Sequence, residues 1–265
     1  MTSPTSPTAR YRDATTGTRT GAGSEEELPV SRLRVIGPGR AGSSLALALD
    51  RAGWEVLPPL GRHDDVRGAA ADTDLLVLAT PDDAVGEVSA AIEPSRQATV
   101  AHLSGSLGLG PLAHHPRRAV LHPLVALPDA DRGSERLVGA WFGLADEGDP
   151  LAAEAVASLR GRVVHIAEAD WARYHAAAVM ASNHLVALLG QVERVAAGIG
   201  APIEAFLDLA RGSLADVADL GPAGALTGPV RRGDVATVQR HLAALPATER
   251  KGYEAMAAEA ARLCL

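Results

Sequence analysis

The stretch Leu33-Arg34-Val35-Ile36-Gly37-Pro38-Gly39-Arg40-Ala41-Gly42 decides the fold. An apolar strand pattern (Leu33, Val35, Ile36) passes directly into three glycines spaced G-x-G-x-x-G. An apolar helix pattern from about Ala41 to Ala52 follows, with Leu45, Leu47 and Leu49 set among small residues. Strand, glycine turn and helix in this order form a dinucleotide-binding fingerprint. The first glycine permits the tight turn, the second lets backbone approach a pyrophosphate, and the third lets helix pack against strand, with the phosphates over the helix N-terminus. Gly37, Pro38, Gly39, Arg40, Ala41 and Gly42 are therefore the first candidate cofactor contacts.

The pattern continues as alternating strands and helices. Trp54 to Leu57 reads as the second strand, whose end carries an acidic residue when the cofactor is NAD, since a carboxylate accepts hydrogen bonds from the ribose hydroxyls. Here the sequence is Pro58-Pro59-Leu60-Gly61-Arg62-His63. A guanidinium at Arg62 pairs well with a 2′-phosphate, and Arg40 adds a second cation, so the reading favours NADP; service of the ribose by Asp64 or Asp65 is the alternative. The run Leu75 to Ala79 is apolar throughout, as a parallel strand covered on both faces must be, and it delivers Thr80 and Pro81 to the ligand edge as cofactor neighbours. Asp82 and Asp83 read as acids in the first turn of a helix running to about Ile92. A strand Thr99 to Leu103 then brings Ser104-Gly105-Ser106 to that edge, and Ala119 to Leu121 brings His122-Pro123. Ala140 to Leu144 and Val163 to Ile166, flanking a helix near Leu151 to Leu159, complete the α/β unit.

Composition bounds what this unit does. A chain of 265 residues accommodates one Rossmann-type domain and a smaller second one. A net charge of −7 argues against a nucleic-acid partner and for small molecules. No run is long and apolar enough for a membrane span, because Ala176 to Leu189 contains Ser182, Asn183 and His184. The single cysteine, Cys264, excludes an intramolecular disulfide and a cysteine metal cluster, and the expected setting is the cytoplasm. Nine histidines are present, His114 and His115 adjacent, without a metal-ligand spacing, so no metal is expected. Lys251 is the only lysine, which leaves arginine as the chain's anion clamp and nearly excludes lysine chemistry. Residues 1–30, rich in Thr, Ser, Pro and Gly, read as a disordered tail.

From Asp170 the periodicity is helical. The first helix, to about Gly198, carries Tyr174, His175, Ser182, Asn183 and His184 among Ala and Val. His175 and Ser182, seven apart, share a face, as suits an interdomain or subunit interface bordering a cleft. The run Ala225 to Asp234 reads as a loop, with Asp234 as N-cap of a helix Val235 to Ala244. The expected organisation is a tail (1–30), a Rossmann-like parallel-sheet domain (31–167) and an all-α domain (168–265).

GPGRAGSSLA (37–46), LATPDDAV (78–85), HLSGSLG (102–108), LHPL (121–124), YHAAAVMASNHLVALL (174–189) and ALTGPVRRGD (225–234) together resemble the two-domain proteins with a Rossmann-like N-terminal domain and a C-terminal DUF2520 domain. By further resemblance the chain is similar to ketopantoate reductases, pyrroline-carboxylate reductases and β-hydroxyacid dehydrogenases. That resemblance implies NADP on the first domain, substrate between the domains and a helical domain that mediates dimerisation, hence a homodimer. It also marks a departure. Ketopantoate reductases and β-hydroxyacid dehydrogenases carry a proton-donating lysine on the first interdomain helix, where this chain has Arg173, Tyr174 and His175.

The expectation is therefore an NADP-dependent oxidoreductase reducing a small, anionic carbonyl or imine compound. His175 is the candidate proton donor because an unperturbed imidazole titrates nearest neutrality, and His122 is the second choice. Asn183 and Ser104 are candidate substrate hydrogen-bonders, and Thr227 and Arg231 candidate carboxylate contacts. A non-catalytic NADP(H)-binding sensor is the alternative from another class.

Overall fold

The structure, a computed structural model, describes residues 30–265, so the tail expected over residues 1–30 lies outside the described residues, Val30 aside. Seven strands form one sheet in the order β2-β1-β3-β4-β5-β6-β7. They are β1 (Arg32–Ile36), β2 (Glu55–Val56), β3 (Leu75–Leu78), β4 (Thr99–His102), β5 (Arg118–Pro123), β6 (Trp141–Ala145) and β7 (Arg162–Ile166). The first five are parallel. β6 then runs antiparallel to β5, and β7 pairs parallel with β6. The parallel sheet expected over the whole first half thus holds for five strands and reverses for the last two. The link from β5 to β6 runs through a helix Ala130–Leu137, and β6 returns antiparallel beside β5.

Burial explains the order. All four residues of β3, Leu75–Leu78, are at most 1% exposed, as a central strand with both faces covered requires. In the register of the central strands Ile36 pairs with Leu78, Leu78 with His102, and His102 with Val120. Gly37, Ala79 and Leu103 consequently leave the sheet at one carboxyl edge, where β5 runs on to Pro123 beside β6. The helices of this half are α1 (Arg40–Arg51), α2 (Asp82–Ala91), α3 (Ala130–Leu137) and α4 (Leu151–Ser158). α3 packs closely on α1. A Cβ at Gly133 would lie 2.7 Å from Ser44 Cβ, and the Ser44 hydroxyl donates to the Asp129 carbonyl at 3.0 Å.

Beyond Asp170 the chain is helical as expected: α5 (Trp171–Val179), a π-helical turn (Met180–His184), α6 (Leu185–Ala197), α7 (Ile203–Ala225), α8 (Gly228–Arg231), α9 (Val235–Ala244) and α10 (Ala247–Arg262). α7 breaks at Gly221, where φ is 71° immediately before Pro222. Asp234 caps α9 as predicted, accepting from the Thr237 amide at 3.0 Å. The run expected as a loop before it contains the one-turn α8. A buried carboxylate ties α10 to α6: Glu249 accepts from Arg194 Nε at 2.9 Å and Nη2 at 3.0 Å. α5 is held to the sheet by Trp171, which is 3% exposed against Leu109, Val120, Ala145 and Ile166. α7, by contrast, buries no residue along its length. No helix among the described residues is long and apolar enough to cross a membrane.

Candidate active site

The glycine turn is built as its spacing predicts. Gly37 has φ 94°, and a Cβ there would stand 2.8 Å from the Ala79 carbonyl oxygen. A Cβ at Gly42 would strike the Gly37 carbonyl and lie 2.8 Å from Val35 Cγ1, so this glycine lets α1 lie directly on the sheet. Gly39 differs from both. A Cβ there meets nothing within 4 Å, which leaves open space at the N-terminus of a twelve-residue helix with no acid in its first turn. Pro38, Gly39 and Arg40 are exposed, and Ala41 begins the packed face.

Two further observations fit a dinucleotide here. The Gly37 amide donates to the Leu60 carbonyl at 2.8 Å, which brings the Gly61-Arg62 turn beside the glycine turn. Asp64, the carboxylate that might have served a ribose, accepts from the Gly61 amide at 2.7 Å, and Asp65 from the Arg67 amide at 2.9 Å, while Arg62 stands exposed. Across the edge, the Thr80 hydroxyl is buried without a hydrogen-bond partner among the described residues, next to exposed Pro81. An open backbone cradle, an exposed cation on the neighbouring turn and a hydroxyl without a partner among the described residues are groups that a phosphorylated dinucleotide satisfies.

The second part of the site is a cavity of about 300 Å³ beyond β5, lined by His122, Pro123–Ala126, His175, Ala178, Val179, Ala181, Ser182 and Asn183. The sequence-predicted His122, His175 and Asn183 are thus brought together, and His175 and Ser182 line one cavity. The Ser182 hydroxyl donates to Asn183 Oδ1 at 2.7 Å, which leaves the Asn183 amide N–H groups to donate elsewhere. No arginine lines this cavity. Ser104 is not among its walls. Its hydroxyl bonds Ser106 Oγ at 3.1 Å, and Ser106 in turn donates to Asp82 Oδ2 at 2.5 Å. Asp82 and Asp83 do occupy the first turn of α2, but Asp82 also anchors this loop. Thr227 and Arg231 lie at the α7–α8 junction and do not line the cavity.

Sequence reasoning missed what holds the histidines. Tyr174, one turn into α5, places its hydroxyl 2.8 Å from His122 Nδ1, with its ring edge-on to Trp171. Gly143 on β6, opposite His122, makes this possible, since a Cβ there would collide with the Tyr174 hydroxyl. Gly105 does the same on the other side: a Cβ would lie 2.6 Å from His122 Nε2 and 2.6 Å from His175 Nδ1. Burial lowers the His122 pKa to about 4, helped by the neighbouring His175, and burial pushes Tyr174 up to about 12. At neutral pH His122 is a neutral imidazole and Tyr174 an intact phenol. His102, fully buried at the end of β4, bonds the Gly108 carbonyl at 3.0 Å and closes the loop that carries Gly105.

Residues 142–260 match the family described as Domain of unknown function (DUF2520). That match covers less than half of the chain. No curated protein matches it. Solved structures match along nearly the whole chain. A Bacteroides fragilis protein classed provisionally as an NADP oxidoreductase superposes with TM-score 0.73 at 20% identity, covering 88% of this chain and 98% of its own. A reductive aminase from Aspergillus terreus in complex with NADPH and ethyl levulinate gives TM-score 0.64 at 17% identity, with 88% and 94% covered. The Plasmodium falciparum pyrroline carboxylate reductase with NADP bound gives 0.58 at 15%, with 89% and 98% covered. At these identities the likeness is one of fold: a Rossmann-like sheet followed by helices.

Proposed function

We propose that this protein is an NADPH-dependent reductase of a small carbonyl or imine compound. One observation carries the reading: the open glycine cradle and the His122–His175–Asn183 cavity lie at the same carboxyl edge of the sheet, where ligands bind in open α/β folds. The fold shared with enzymes solved with NADPH or NADP bound supports it. The cofactor, when bound, supplies the hydride. The chain's own residues do the rest. Gly39 and the first turn of α1 hold the pyrophosphate, Arg62 pairs the 2′-phosphate, and Thr80 donates to the cofactor's near edge. His175 donates a proton to the oxygen or nitrogen of the reduced group, doing the work that a lysine does in the reductases the sequence resembles. The Asn183 amide orients the substrate, and the apolar wall of Val125, Ala178 and Val179 excludes water.

The same proposal includes a homodimer. A 23-residue helix that buries nothing, with Leu209, Leu214 and Leu220 at least half exposed, supports cover by a second copy. Thr227 and Arg231 do not line the cavity of their own chain, and on this reading it is a second copy that brings them to a substrate carboxylate.

The test begins with thermal unfolding in saturating NADPH, NADH or neither, followed by turnover of 2-oxo acids and cyclic imines. An NADPH-selective stabilisation with turnover lost about 10²-fold in His175→Ala is the expected result. Binding without turnover across the panel supports the sensor alternative. No stabilisation by either nucleotide overturns both.

A further inference from the structure

Tyr174 contributes a ring that packs on Trp171 and a hydroxyl that touches one nitrogen, His122 Nδ1 at 2.8 Å. A phenol has a single proton to give. Among the described residues the other close neighbour of this hydroxyl is Gly143, and no hydrogen bond but that to His122 Nδ1 engages it. Only His122 Nδ1 is left to accept the phenol's proton. If Nδ1 carried its own proton instead, it would donate to the phenol oxygen, and the phenolic proton would be without an acceptor among the described residues, which costs about 1–3 kcal/mol.

We propose that Tyr174 is a positioning residue that fixes His122 as the Nε2–H tautomer, so that a neutral imidazole N–H donates into the site beside His175. The other side of the ring agrees. His122 Nε2 and His175 Nδ1, the latter buried and without a partner among the described residues, both close on Gly105, where a Cβ would lie 2.6 Å from each. The missing side chain lets the two ring nitrogens converge, and both rings line the cavity of about 300 Å³. An oxygen or nitrogen seated in that cavity against both rings receives a permanent hydrogen bond from His122 Nε2 and the transferable proton from His175. This divides the two histidines between stabilising the developing charge and protonating it. The inference rests on the reductase reading for its use, but the tautomer itself does not.

The experiment is ¹⁵N-histidine NMR on the full chain, wild type and Tyr174→Phe, with turnover measured alongside. In the wild type His122 should show an unprotonated Nδ1 and a protonated Nε2 at pH 7. Tyr174→Phe keeps the ring and its Trp171 contact and removes only the hydroxyl. In this variant the His122 signals should move to a mixture of tautomers, while NADPH affinity stays within about threefold and kcat falls about 10²-fold. A wild-type Nδ1–H tautomer, or signals unmoved by Tyr174→Phe, overturns the proposal. Should no substrate turn over, the NMR readout alone decides the tautomer, and only the reductase reading is lost. Loss of folding in Tyr174→Phe would be recognised by NADPH binding, and the wild-type spectrum then stands as the deciding measurement.

Discussion

Gly39 and Gly42, three positions apart, should respond in opposite ways to the same methyl group. Gly39→Ala places a Cβ where nothing lies within 4 Å. Its backbone, φ −79° and ψ −170°, is open to any residue. Alanine gains about 0.4–1 kcal/mol by restricting the unfolded chain and loses a comparable amount as a poorer N-cap, so the free protein's stability should move by less than about 1 kcal/mol. Gly42→Ala puts its Cβ against the Gly37 carbonyl, with Val35 Cγ1 at 2.8 Å and Ala79 Cβ at 2.9 Å. Backbone cannot give way as a side-chain tip does, and overpacking of this kind costs about 1–3 kcal/mol, or roughly 2–10 °C of unfolding midpoint in a protein this size. With nucleotide the order changes. NADPH at 100 times its dissociation constant adds about 2.7 kcal/mol to the wild type; a 100-fold weaker complex at the same concentration adds only about 0.4 kcal/mol. Gly39→Ala should therefore melt like the wild type alone and lose nearly all its NADPH-induced shift, while Gly42→Ala should already be destabilised alone. Differential scanning fluorimetry with and without NADPH reads both. A Gly39→Ala protein that keeps the full shift would refute the placement of the pyrophosphate over that residue.

Arg62→Ala should weaken NADPH by about 10- to 100-fold, the worth of hydrogen bonds to a charged group, and leave NADH unchanged; equal losses for both nucleotides in a fluorescence titration would remove Arg62 from the 2′-phosphate. His122 and His115 are each lowered by burial from 6.5 to about 4, so between these values the unfolded chain binds protons that the folded one refuses. Their contribution is complete above about pH 6.5 and is lost as pH falls towards 4, and an unfolding midpoint that stays flat from pH 7 to 4 would contradict neutral burial of these rings. Leu214→Glu with Val217→Glu puts two charges on one exposed face of α7 and should convert a sedimenting dimer to monomer; a wild type already monomeric at micromolar concentration sinks the second-copy proposal.

What was legible in the sequence is what local chain order determines. The β1–glycine–α1 unit, the buried β3 with Thr80 and Pro81 after it, and the Asp234 cap of α9 each depend on residues within a few positions of one another. α3 was not legible. Its face towards α1 is made of Gly133 and Ser134, so it has small residues where an apolar stripe would be sought. The reversal of β6 was hidden because strand direction follows from a connection rather than from a strand's own alternation. Ser104 falls at the predicted edge, yet its hydroxyl is committed to Ser106, a partnership that depends on how one loop turns. The role of Tyr174 needed Gly143, 31 positions earlier, whose missing side chain has meaning only when β6 lies beside β5.

The π-turn at Met180–His184 has a genetic consequence. A helix advances about 100° per residue, so a single codon gained or lost within that turn would swing every later side chain of α6 by more than a quarter revolution while leaving His175 where it is. Asn183 sits inside the turn, and Gln191 and Arg194, which hold α10, lie beyond it. Cavity wall and helix-bundle anchor are thus phased by the same five residues. Substitutions there should be tolerated far more readily than any change of length, and a deep insertion–deletion scan would read this segment as the most length-intolerant stretch of the helical half.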